Sequence, residues 1–277
     1  MHTRRLVLFS ACLLPVVLVV ALAYQNAVEE NRSGSNLSLP IGERLVYSIK
    51  WDPPWYLFFL PAMEAGEAEL RLVGETEYNS KKVLKILIKG HSSGTLAKMT
   101  GMKVDDEFVF FTERNTFCTL ASSKKIREGK RKRQVDVDYL RETRQLHIRE
   151  MDESVVPPKI KKDETKEDIP YCVQDPLSAL YFFRMSSLRP EYAQTFVIGY
   201  DDRIKEVRAR VEDQETVTTP AGNFTAWRVT TIALMGGLFK EGGQFRIWLS
   251  ADEKKTPVQF GVNVSLGKVV GKLKPAQ

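Results

Sequence analysis

Only three of the 277 residues are cysteine and three are histidine, and the chain carries 17 glycines and 13 prolines. So little glycine and proline excludes a collagen-like or low-complexity chain. A composition of 43% hydrophobic against 27% charged residues excludes a disordered one. The few cysteines and histidines are not clustered at ligand spacing, and no glycine-rich phosphate loop is present, so neither a metal nor another cofactor is expected. Long βαβ crossovers are also missing, which argues against a doubly wound enzyme scaffold.

The one long apolar run comes first. Arg4 and Arg5 precede Leu6 to Tyr24, a stretch of 19 residues, and Ala21 and Ala23 form a small-x-small cleavage site. Residues 1–23 read as a signal peptide, with Tyr24 opening the mature chain. An uncleaved anchor over residues 6–24 is the competing reading, because 19 residues is close to the minimum for spanning a bilayer of roughly 30 Å. The apolar stretch before Cys12 is too short for a lipoprotein. Either way the rest of the chain is expected in the periplasm or outer envelope, where disulfides persist. Cys118 and Cys172 are expected to pair, and closing that loop would stabilise by roughly 4 kcal/mol; two unpaired thiols are the alternative.

Residues 24–40 read as a flexible lead-in and 41–277 as a single β-rich domain. Alternation with period two dominates, as in Glu67 to Val73, where Ala68, Leu70 and Leu72 take one face and Glu67, Glu69 and Arg71 the other. Similar strands are expected from Leu45, Lys82, Lys103, Phe117, Gln134, Gln145, Thr195 and Lys205, and the C-terminal third adds four more. One helix is firm: Asp175 caps it, Pro176 opens it, and Leu177, Leu180, Tyr181 and Arg184 follow at helical spacing. The predicted fold is mainly β, a strongly curved antiparallel sheet or half-barrel packed around that short helix. A charged linker is expected near residues 151–170, where Lys161 to Asp168 mixes both signs after Pro157 and Pro158.

Several stretches in order resemble the exported bacterial proteins grouped as domain of unknown function 3108. They are Ile41 to Trp51, Met63 to Leu70, Gln174 to Arg184, Thr219 to Val229 and Trp248 to Phe260. The resemblance implies a mostly β periplasmic protein and supplies no catalytic residues. This chain departs from the pattern in a longer aromatic segment, WDPPWYLFFLPAM, between Trp51 and Met63.

That segment is the strongest candidate for function. Trp51, Trp55, Tyr56, Phe58 and Phe59 are bracketed by prolines that prevent a regular helix. Exposed, they would form a contact patch for a lipid, a membrane or a partner; folded back, they would plug the open end of the sheet. Leu238 and Phe239, beside Gly236 and Gly237, form a second apolar loop for the opposite rim. Charge points the same way. Lys124, Lys125, Arg127, Lys130, Arg131, Lys132 and Arg133 against Glu128 give +6, equal to the net charge of the chain. They are candidates for anionic headgroups, with a merely solvated hairpin tip as the alternative; nucleic acid is not an expected partner of an exported chain.

One enzymatic motif stands, GHSSG at Gly90 to Gly94, with Ser92 as nucleophile. Against it, the preceding strand carries Lys82, Lys85 and Lys89, and a hydrolase's central strand is apolar on both faces. The first reading is therefore a non-catalytic exported protein with a groove for an apolar or lipid-like ligand. A hydrolase through Ser92 and a structural module of an envelope assembly are the alternatives.

Overall fold

The computed structural model describes residues 39–101, 103–232, 244–264 and 267–276. Fourteen strands form one antiparallel sheet in the order β8-β7-β6-β5-β4-β3-β2-β1-β14-β13-β12-β11-β10-β9. They are β1 (Arg44–Asp52), β2 (Met63–Tyr78), β3 (Lys81–Ser92), β4 (Asp105–Thr112), β5 (Thr119–Glu128), β6 (Arg131–Leu140) and β7 (Gln145–Asp152). The second half holds β8 (Lys159–Lys166), β9 (Ala193–Tyr200), β10 (Arg203–Thr219), β11 (Gly222–Ile232), β12 (Gln244–Ser250), β13 (Pro257–Val264) and β14 (Gly267–Leu273). Two helices interrupt them, α1 (Gly94–Thr100) and α2 (Pro176–Arg184).

The expected helix is α2, and its start follows from its sequence. Asp175 accepts the Leu177 and Ser178 backbone N–H groups, and the Ser178 side chain returns a bond to the Asp175 N–H, a complete capping box with proline at the first position. Ala179, Tyr181, Phe182 and Phe183 are buried.

Their contacts reveal the curvature of the sheet. The Phe182 ring lies 5.7 Å from Phe117, just before β5, and 5.8 Å from Phe196 on β9. In a flat sheet β4 and β9 would stand nine spacings, about 43 Å, apart. The sheet therefore wraps around α2. One apolar cluster takes residues from β1, β2, β3, β4 and β9 through β14 together with the helix, so the concave face is a packed core.

The sheet does not close. The Gln174 N–H donates to Val197 and its carbonyl accepts from Gly199, while the Thr119 N–H donates to Val173, so a two-residue segment spans the gap between β5 and β9. A second cluster, with Val135, Val137, Leu146 and Ile148, packs beneath Val197 and Ile204 of the β9–β10 hairpin. Cys118 and Cys172 form a disulfide that ties the start of β5 to this segment.

The linker expected near residues 151–170 requires correction. Lys159–Lys166 is the edge strand β8, paired along β7 from Leu146↔Lys166 to Asp152↔Lys159. Its side chains are mostly exposed and charged, which hides the alternation but suits an edge that must not recruit another strand. The residue 1–23 segment and most of the lead-in lie outside the described residues. No helix among the described residues is long and apolar enough to cross a membrane.

Candidate functional site

Every neighbouring pair in the sheet is antiparallel, so connections alternate between its two ends. The connections after β1, β3, β5 and β7 consequently share one rim. Four features meet there: the aromatic segment and the basic hairpin turn, both singled out in the sequence, together with α1 and the Val155–Pro158 loop.

The aromatic segment is held out, not folded in. Pro54 is extended, residues Trp55–Leu57 make one 3-10 turn, and the Leu57 N–H donates to Pro54. Trp55 and Phe58 are each 86% exposed, Phe59 66% and Tyr56 50%. Of the two alternatives, the rings stand exposed and do not fold back into the sheet, whose concave face α2 already fills. The rings pair with one another, Trp55 with Tyr56 at 5.9 Å and Phe58 with Phe59 at 6.0 Å between centroids. Trp51 is not part of this group; it is half-buried within β1, opposite Met63 and Val269. Leu238 and Phe239 lie outside the described residues.

Beside this segment lies α1. The Ser93 N–H donates to Ala65 near the start of β2. A Cβ on Gly94, at φ +78°, would stand 2.7 Å from the Glu64 Cβ, so this glycine is required by close packing. Ser92, the would-be nucleophile, uses its Oγ to accept the Val104 N–H at 2.8 Å and its N–H to donate to the Val104 carbonyl. His91 precedes it on the other face of β3, its Nε2 3.8 Å from Glu67. The GHSSG segment thus clips the α1–β4 connection to β3.

That connection leads on to the basic turn, where the Gly129 N–H donates to the Lys103 carbonyl at 2.7 Å. Here the expected anionic-contact set divides. Lys124 is 1% exposed and must be removed from it: its Nζ is bound to Asp201 at 2.7 Å and lies 3.6 Å from the Tyr200 ring centroid. Burial pulls the Lys124 ammonium below the usual lysine range, against the pull of Asp201, and pushes the Tyr200 phenol up to about 12. Alternation explains the error, since Lys124 points inward where Lys125 points out. Arg127 pairs with Glu153, and Arg133 with Glu150 at 2.9 Å. Lys125, Lys130, Arg131 and Lys132 remain exposed, and of these only Arg131 has an ion pair among the described residues, with Glu128 at 3.6 Å.

The sequence did not single out the other members of the rim. Met99 on α1 is 66% exposed and Val156, between β7 and β8, 98%. With Val155 and Ile160, eight of the twelve large exposed apolar side chains among the described residues belong to this rim: these four and the four rings. Singly exposed apolar residues are ordinary; their concentration on one rim is not. Loop parity in an up-and-down sheet was the available signal. Among the described residues, no group of three His, Cys, Asp or Glu side chains is placed to hold a metal ion.

The model of a family described as "Protein of unknown function (DUF3108)" matches residues 46–274. No curated protein matches. Among solved structures, the chain is similar to a "Beta-barrel-like Protein of Domain of Unknown Function DUF1849 from Brucella abortus", with a TM-score of 0.56 and 12% identity, covering 86% of this chain and 98% of that one. At that identity the likeness is one of fold.

Proposed function

We propose, for a chain that belongs to the DUF3108 family of proteins of unknown function, that it is a non-catalytic binding protein of the cell envelope. It is exported to an oxidising compartment and engages an apolar or lipid-like ligand through the rim carrying the aromatic segment. The observation that carries this reading is the exposure of Trp55, Tyr56, Phe58 and Phe59 on a segment held by prolines outside the packed core. Rings left in water at such cost are the mark of a contact surface. The working surface is therefore outside the sheet, because α2 occupies the concave side.

Two further facts support the reading. The Cys118–Cys172 disulfide is of a kind that persists outside the cytoplasm. The Ser92 hydroxyl is engaged by the Val104 amide, in a role that needs no reaction.

A photoactivatable phenylalanine at position 58, irradiated in the living host, tests this. The expected product carries a small apolar adduct, identified by intact mass. A discrete protein adduct would replace the reading with that of an assembly module, and no adduct would overturn it.

A further inference from the structure

We infer that the aromatic rim docks the protein peripherally on an anionic phospholipid bilayer, the rings entering the interfacial layer while the β5–β6 turn contacts the headgroups. The inference rests on the reading above and names the ligand as a surface.

The argument begins with spacing. The β1–β2 connection and the β5–β6 turn are four strand spacings apart, about 19 Å along the rim. Between them run a direct series of contacts: Ala65 to Ser93, then α1, then Lys103 to Gly129. A single small molecule would have to lie fully extended along the rim to touch both ends of such a span; a plane meets both at once. The end of a barrel-like sheet turns all its connections on that side toward one direction.

Chemistry then selects the plane. Trp and Tyr, with an apolar body and a polar edge, concentrate at membrane–water interfaces. Here they stand beside Phe58 and Phe59, with Met99 and Val156 farther along. The cations alternate with them: Lys98 on α1, Lys103, and Lys130, Arg131 and Lys132 at the turn, all exposed. Among the described residues at and beside the four connections of this rim, Glu64 and Asp105 are the exposed acids, and Glu128 faces Arg131. Asp201 and Asp202 of the β9–β10 turn are paired with Lys124 and Lys162, so the exposed positive charge of this patch is in excess. Apolar rings flanked by surplus cations complement a bilayer that is greasy inside and negative at its surface.

The mode is peripheral because the wall of the sheet is charged. On β10, Glu206, Arg208 and Arg210 are exposed between buried Val207, Ala209 and Val211. A strand facing lipid would show the reverse pattern.

The four tryptophans are Trp51, Trp55, Trp227 and Trp248, none of them in residues 1–40, and only Trp55 is exposed, so the Trp55 share of the emission reports the rim. The full-length protein is mixed with vesicles of phosphatidylcholine alone, or with one third phosphatidylglycerol, each with and without brominated acyl chains. Emission assigned to Trp55, by difference from Trp55→Phe, is expected to shift to the blue and be quenched by the brominated chains in anionic vesicles. The apparent partition coefficient is expected to fall about tenfold or more in neutral vesicles, in 0.5 M salt, and in the variant Lys130→Glu/Arg131→Glu/Lys132→Glu. Circular dichroism and the melting transition verify that each variant is folded.

Trp55 emission unchanged by anionic vesicles would overturn the inference. So would equal quenching in neutral and anionic vesicles, or quenching untouched by the triple charge reversal. A cross-link from position 58 to a small apolar molecule, together with no vesicle response, would leave the ligand-binding reading standing and remove the bilayer.

Discussion

Arg184 and Glu43, 141 residues apart, form a bidentate ion pair at the heart of the fold, with Nη1 2.6 Å from Oε2 and Nη2 2.8 Å from Oε1. The Arg184 side chain is 2% exposed. It also donates to the Lys254 carbonyl, and the Tyr181 hydroxyl donates to the same Glu43 carboxylate. Burial works against the Arg184 charge, and the Glu43 carboxylate outweighs it, so the guanidinium pKa lies above its ordinary value. One pair thus ties the entry of β1 to the last turn of α2 and to the β12–β13 connection.

Removing one partner leaves a buried charge without its counterion. Glu43→Gln is expected to lower the unfolding free energy by about 3 to 5 kcal/mol, the usual penalty for breaking a buried pair. Equilibrium urea denaturation measures it. A loss below about 1 kcal/mol would show that water reaches the pair and that α2 is fixed by its aromatic face alone.

The disulfide closes a loop over a sequence separation of 54 residues. The double variant Cys118→Ser/Cys172→Ser is expected to lose about 4 kcal/mol in the chain-entropy account. Thermal melts of the variant and of the reduced native protein should then agree with each other, both below that of the oxidised native protein. Equal melting points before and after reduction, with thiol release confirmed by mass, would contradict this.

Asp202 accepts from Lys162 at 2.5 Å, and this ammonium, followed by Lys166, holds its carboxyl down at about 2. A folded-state pKa below the unfolded value of about 3.9 means that the contribution is complete above about pH 4. It is lost as the pH falls from there through about 2. Both groups are partly exposed, so the pair stabilises by about 1 kcal/mol or less. Asp202→Asn is expected to be slightly less stable at pH 7 and to lose less between pH 4 and pH 2. Parallel acid profiles for the two proteins would contradict the assignment.

Trp55→Ala/Phe58→Ala should change the stability by less than about 0.5 kcal/mol, because neither ring packs on the core. Loss of vesicle response in the same variant would then be a loss of contact surface. A drop of several kcal/mol would mean that the rings brace the fold.

Much of this molecule could be read from residue order. The alternation of Ala68, Leu70 and Leu72 with charged neighbours required a strand with one wet face. Asp175, Pro176 and Ser178 required a helix start wherever the chain placed it. β8 escaped because an edge strand in water satisfies its backbone on one side only and needs no apolar face, so KIKKDETK has the composition of a linker. Lys124 was misplaced for a related reason. Composition gives a charge no direction, whereas strand register sends Lys124 inward to Asp201 and Lys125 out to solvent.

The sequence by itself determined the strand periodicity, the capped helix, the two cysteines available to pair and the presence of an aromatic and a basic segment. Each is set by neighbours within a turn or a strand length, where propensity and alternation act. Only the tertiary structure decided that the aromatic rings face water and that they share a rim with the basic turn about four strand spacings away. Those outcomes depend on how far the sheet curls and on what fills it, and here α2 fills the space that the rings would otherwise have taken.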